Sequence, residues 1–364
     1  MVNTVLFSPL RMRIVLLLSI LFLLLSCREP IHEKPISTFQ KSGFFIINEG
    51  PFQTGTGSID FYDREKDSIF HHIFQTKNNF PLGNIVQSAY SIDNQYLYIV
   101  VNNADKIEIV HQDNFESINT IQNIHFPRYI TSDLNKLYIS AWDNTIKVYK
   151  LNDSIHPTLI KSISTNIGPE KMLVLNHRLY VLNQGGFDID STITVIDTQT
   201  DTYIATIPVF PKPTGIVRDS QNRLWVMCSG KGWNGISQED DSQGHLICID
   251  PLSFEKYFDF TFPNKTIHPI NLSYNKYNNC LYFSYQNGIY QKDIELDTLE
   301  LTVICKNRNA HSILFDEKYK ELLVSDPLDY SKASKIFRMN HNGMIIDSMR
   351  SGIISGNFLI NIVE

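Results

Sequence analysis

Leu97-Tyr98-Ile99-Val100, followed by Ile107-Glu108-Ile109-Val110, is the stretch that decides the fold. Both segments are short and rich in β-branched and aromatic residues, and Asn102-Asn103-Ala104-Asp105 between them holds the residue types that reverse a chain. They read as neighbouring antiparallel strands. The pattern then returns. Phe44-Phe45-Ile46-Ile47, Leu137-Tyr138-Ile139-Ser140 and Leu179-Tyr180-Val181-Leu182 repeat the first strand, as do Leu224-Trp225-Val226-Met227, Leu281-Tyr282-Phe283-Ser284 and Leu322-Leu323-Val324-Ser325. Seven copies stand 53, 40, 42, 45, 57 and 41 residues apart, and each has a partner such as Ile59-Asp60-Phe61-Tyr62 or Ile146-Lys147-Val148-Tyr149. A period of roughly 40 to 50 residues is that of a propeller blade.

A four-stranded sheet buries its faces only against neighbours, so repeated sheets close radially. The expectation is an all-β, seven-bladed β-propeller over residues 43–364. Six copies are preceded by an innermost strand ending at Asp93, Asp133, Asn176, Asp219, Asn275 or Asp316, and the first copy lacks one. Ser355-Gly356-Asn357-Phe358-Leu359-Ile360-Asn361 matches the missing strand and has no Leu-Tyr strand after it. The C-terminal strand is therefore expected to complete the first blade.

The loops joining second and third strands mark where a ligand would sit. From anchor to anchor they span 15, 10, 9, 14, 22, 8 and 14 residues. Repeats one and seven should raise one wall and repeats four and five another, with lower ground at two, three and six. The walls carry Glu49, Phe52, Gln184, Phe187, Lys231, Trp233, Asn234 and Tyr330. Aromatic rings beside amides suit a large neutral or mixed ligand, because rings give area at little entropy cost and amides both donate and accept. The loops entering the innermost strands align Arg128, Glu170, Thr214 and Ile270, with Ser88, His311 and Asn357 as further members, and Gln87 adjoins them.

Arg11 and Arg13, the apolar run Ile14 to Leu25 and then Ser26-Cys27 describe an export signal of lipoprotein type over residues 1–26, with Cys27 as the lipidated N-terminus. Residues 27–42, polar and containing Pro30 and Pro35, read as a tether. The whole chain has 364 residues, 12% aromatic and 19% charged, with a net charge of -6; cutting after residue 26 leaves 30 basic against 38 acidic side chains, or -8. An acidic chain lacks the basic face that nucleic acid demands. Cys228, Cys248, Cys280 and Cys305 are left in strand contexts, where a Cys228–Cys248 disulfide and buried free thiols are both open. No nucleophile elbow, HExxH, phosphate loop or EF-hand motif occurs, so neither an enzyme nor a bound metal or cofactor is expected. Glu239 to Asp241 with Asp188 and Asp190 could bind calcium or be merely solvated.

Ile47-Asn48-Glu49-Gly50, Gly57-Ser58-Ile59-Asp60-Phe61-Tyr62-Asp63, Leu82-Gly83-Asn84-Ile85-Val86-Gln87-Ser88 and the stretch from Ile99 to Glu108 resemble the YncE-like surface lipoproteins of Bacteroidetes, and among them the cobalamin-binding BtuG group. The resemblance is specific over residues 43–128 and a generic blade pattern beyond. It implies an outer-membrane lipoprotein at the cell surface that captures a corrinoid (vitamin B12) and hands it to a BtuB-like TonB-dependent transporter, without chemistry. Arg128 or Lys231 would then meet the corrinoid phosphate. A surface scaffold or adhesin gripping a glycan or a protein is the alternative that the residues leave open.

Overall fold

The computed structural model describes residues 39, 41–232, 237, 239–296, 298 and 300–361. The export signal and Cys27 lie outside these residues, as do Trp233 and Asn234. Within them the chain forms seven four-stranded antiparallel sheets. Six are built from four consecutive strands, while the first takes its innermost strand, Ser355–Asn361, from the C-terminus. The innermost strands of successive blades lie side by side, and the ring closes where Ser355–Asn361 meets Val86–Ile92. The expected seven-bladed propeller and its C-terminal closure are therefore what the chain forms.

The Leu-Tyr pattern has a packing reason. The second strands are buried almost throughout, as in Gly43–Asn48 and Glu321–Asp326, so both faces of each must be apolar. The tyrosine of each pair is buried, and its hydroxyl reaches the outer turn of the next blade. Tyr98 donates to the Ser154 carbonyl (2.8 Å), Tyr180 to Pro251 (2.6 Å), Tyr282 to His341 (2.9 Å), and Tyr138 to Thr198 (3.1 Å) and Asp201 (2.7 Å). Tyrosine is the residue that fills such a site and still satisfies its polar tip. In the fifth blade Trp225 takes the position and donates instead to Asp219 (2.9 Å).

A second device recurs at the entry to the innermost strands. Ile85, Phe126, Gly168, Lys212 and Ile354 all adopt left-handed backbone, with φ from 45° to 61°. Their carbonyls accept the N–H that follows the second strand, from Asn102 (2.8 Å), Trp142 (3.2 Å), Gln184 (2.9 Å), Ser229 (2.9 Å) and Glu49 (2.8 Å) respectively. A β-branched residue such as Ile85 or Ile354 at positive φ is strained, and it persists only where its surroundings over-determine it. Just beyond, the pairing slips by a bulge in every innermost strand except Ser312–Asp316.

Three local features refine the sequence reading. Phe39 is buried and meets Phe61 and Phe115 edge-on at 5.1 and 5.5 Å, so core packing reaches further toward the N-terminus than residue 43. His71-His72 lies between the outer strand of blade one and a short helix. The outer strand of blade one stops at Phe70, His71 Nδ1 bonds Asp60 (2.9 Å), and His72 leads into a six-residue helix, Ile73–Asn78, whose Phe74 is buried. The four cysteines are free thiols: Cys228 lies opposite His245 and Cys248 opposite Trp225, out of register for a bridge.

Candidate functional site

The left-handed entry residues, the bulges and the loops after the second strands converge on one mouth of the ring. There they enclose a cavity of about 800 Å³. Successive residues of a regular strand face opposite sides, so only one of two neighbours should reach a cavity. The bulges break that alternation. Arg128 and Tyr129, Glu170 and Lys171, Ile270 and Asn271, and Gly356 and Asn357 all enter as adjacent pairs.

Glu170 is the centre of the electrostatics. The residue is 4% exposed, and one carboxylate oxygen accepts both Arg128 Nε (2.9 Å) and the Trp142 indole N–H (2.9 Å). The Arg128 guanidinium lies over the Trp142 ring, 4.3 Å from its centroid. Burial pushes the Glu170 carboxyl upward, against the opposing pull of Arg128. Burial likewise raises the Tyr129 phenol to about 12 and lowers the Lys171 ammonium. Across the cavity Glu49 bonds His311 Nε2 (3.2 Å), and the Asn357 amide donates to the Gln87 carbonyl (2.8 Å).

One side is aromatic. Phe187, 76% exposed, stands edge-on to Trp142 at 5.0 Å and to Phe126 at 6.4 Å. Gly168 and Gly186 permit this wall: a side-chain carbon on Gly168 would fall 2.1 Å from the Gly186 nitrogen, so the two loop backbones touch. Phe52, also exposed, lines the cavity from blade one. Amides fill much of the remainder, from Gln53, Gln87, Asn102, Asn103, Gln184 and Asn271.

Glu49, Phe52, Gln87, Arg128, Gln184 and Phe187 thus share one cavity, as do Glu170, Thr214, Ile270, His311 and Asn357 from the entry loops. Lys231 and Tyr330 do not line it. The Lys231 N–H is turned to Ser242 Oγ (2.9 Å) within its own loop, and Tyr330 meets the His311 ring edge-on from behind (5.7 Å). Ser88 is rotated away by the bulge at Val86 and donates to the Arg128 carbonyl (2.7 Å), leaving Gln87 to face the mouth. The lining is weighted toward blades one to four. Repeat three, expected as low ground, supplies Arg128 of the ion pair and Phe126 and Trp142 of the aromatic wall, and repeat two adds Gln87, Asn102 and Asn103. Trp142 went unrecognised because its loop is short, yet it stands five residues after its Leu-Tyr anchor, the same offset as Glu49 and Gln184. Among the described residues no three His, Cys, Asp or Glu side chains gather as a metal site, and Glu239 to Asp241 form no such group with Asp188 and Asp190.

A family model described as a domain of unknown function (DUF5074) matches residues 42–320, most of the ring. The chain belongs to the DUF5074 family. No curated protein matches this DUF5074 chain in sequence. Among solved structures it is similar to a quinoprotein alcohol dehydrogenase-like protein from Bacteroides thetaiotaomicron, at 14% identity and TM-score 0.65, covering 89% of this chain and 79% of that one. It is similar also to a periplasmic gluconolactonase of Pseudomonas aeruginosa, at 9% identity and TM-score 0.65 over 89% and 99% of the two chains. A protein from Lactobacillus plantarum aligns at 12% identity and TM-score 0.62, over 88% and 99%. At these identities the shared property is the propeller fold.

Proposed function

We propose that this DUF5074 propeller is a non-enzymatic binding protein whose ligand is a corrinoid, held in the mouth between blades one and four. The observation that carries the reading is the lining itself: a wide cavity edged by seven amide side chains, one aromatic wall and a few charges. A corrinoid is a broad disc fringed with amides and bearing one phosphodiester. Amide-to-amide hydrogen bonds around the rim and aromatic contact on one side are the chemistry that would recognise it. The carboxylates of the cavity are engaged, Glu170 with Arg128 and Trp142 and Glu49 with His311, which favours holding a ligand over moving protons on it. In this proposal Cys27 carries the lipid anchor, the protein sits on the outer membrane facing outward, and a BtuB-like TonB-dependent transporter receives the corrinoid.

The second reading, a surface scaffold or adhesin, is favoured by the exposed Phe52 and Phe187, since such rings also stack on sugars or seat against a protein. Calorimetric titration of residues 28–364 with cyanocobalamin, read together with the corrinoid absorbance, separates the two. Heat and a spectral shift at micromolar ligand are expected. Absence of both signals would sink the corrinoid reading and leave the scaffold.

A further inference from the structure

Besides the Tyr129 phenol, five side chains that carry or can take up a charge near neutral pH stand in the cavity: Glu49, Arg128, Glu170, Lys171 and His311. Four are matched, Arg128 with Glu170 at 2.9 Å and Glu49 with His311 at 3.2 Å. Trp142 completes the first pair by donating to the same Glu170 oxygen and covering one guanidinium face, so the charge of Arg128 is already matched within the protein. Lys171 has no such match. Among the described residues it makes no ion pair or hydrogen bond; the Tyr129 ring lies 6.0 Å from Nζ, and Glu170 acts on it through its charge alone. Its place is a product of the bulge between Pro169 and Met172, which turns it into the mouth beside Glu170.

Lys171 is half-buried, and partial withdrawal of its ammonium from water lowers its pKa against the opposing charge of Glu170. Lysine suits a point contact with an anion; the planar, bidentate fork belongs to arginine, and the Arg128 charge is already met by Glu170. We infer that Lys171 is an anion subsite of the cavity, taking a phosphate or carboxylate group of the ligand. The inference rests on the cavity being a binding site and replaces Arg128 and Lys231 as the residues that meet the phosphate of a corrinoid.

Two corrinoids differing in the phosphodiester test it: cyanocobalamin, which has one, and cobinamide, which lacks it. Lys171→Met should weaken cyanocobalamin at least tenfold and leave cobinamide within twofold, while Lys171→Arg keeps most of the affinity. In parallel, inorganic phosphate should raise the thermal midpoint of the purified wild-type protein and not that of Lys171→Met; acetate in its place reports a carboxylate preference. Circular dichroism confirms that each variant folds, with Lys171→Gln as substitute where the methionine variant does not. Equal loss for both corrinoids, or equal stabilisation of both proteins by both anions, overturns the inference. If neither corrinoid binds but an anion stabilises wild type alone, the corrinoid reading fails and the anion subsite stands. If cyanocobalamin binds wild type and Lys171→Met alike, the corrinoid reading stands and the subsite fails.

Discussion

Trp142 does three things from one position. It donates to Glu170, covers the guanidinium of Arg128 and forms the edge contact that holds Phe187 upright. Aromatic anchors of this kind dominate the energetics of binding sites, so Trp142→Ala is expected to weaken corrinoid binding at least tenfold by calorimetry. Ligand-dependent quenching of tryptophan fluorescence should fall with it. The residue was legible in retrospect: Glu49, Asn102, Trp142 and Gln184 each follow their strand anchor by five positions, and all four line the cavity. Lys171 was not legible. A two-residue alternation counted from Glu170 places it on the opposite face, and only a bulge that no residue type announces brings it in.

Strands and turns explain why the repeat keeps a tyrosine where any large apolar residue would fill the core. Tyr98 ties the second blade to the third through Ser154, and its relatives do the same around the ring. Tyr98→Phe keeps the ring and removes the hydroxyl, leaving the Ser154 carbonyl with one partner fewer. The expected loss is about 1 kcal/mol of unfolding free energy, read from the denaturant midpoint with an unchanged slope. The spacing of the Leu-Tyr copies gave the strands and their order because the pattern is local. The helix Ile73–Asn78 escaped because it is only six residues long, too short to show a period, and is held by burial of Phe74.

Across the whole ring, the seam between blades seven and one carries the heaviest load. Gly43–Asn48 pairs with Ser355–Asn361 along its length, and beside it Arg64 binds Glu321 (2.7 Å) and Asp316 (2.8 Å) while Arg338 binds Glu321 through two nitrogens (3.1 and 2.9 Å). Ending the chain at Ile354 removes the innermost strand of blade one, opens a row of backbone hydrogen bonds and exposes the face of Phe44 and Ile46. Such a truncation is expected to yield insoluble or protease-sensitive protein, scored by limited proteolysis against the full chain. The seam also gives an acid response. Burial alone would raise the Glu321 carboxyl, but the bonds from Arg338 and Arg64 hold it below its ordinary 4.5. A carboxyl depressed by folding adds stability above its unfolded pKa and loses it as pH falls through the folded value. Unfolding midpoints should therefore drop as pH falls below about 4.5, and Glu321→Gln should flatten that part of the dependence.

By itself the sequence determined the blade count, the strand order and the strand that closes the ring, because hydrophobic alternation and turn residues are written within each repeat of some 40 to 57 residues. Only the tertiary structure decided which side chains meet in the mouth. Glu170 accepts from Arg128 and Trp142, 42 and 28 residues away, and all three are aimed by bulges and left-handed turns that exist only once neighbouring blades press against one another.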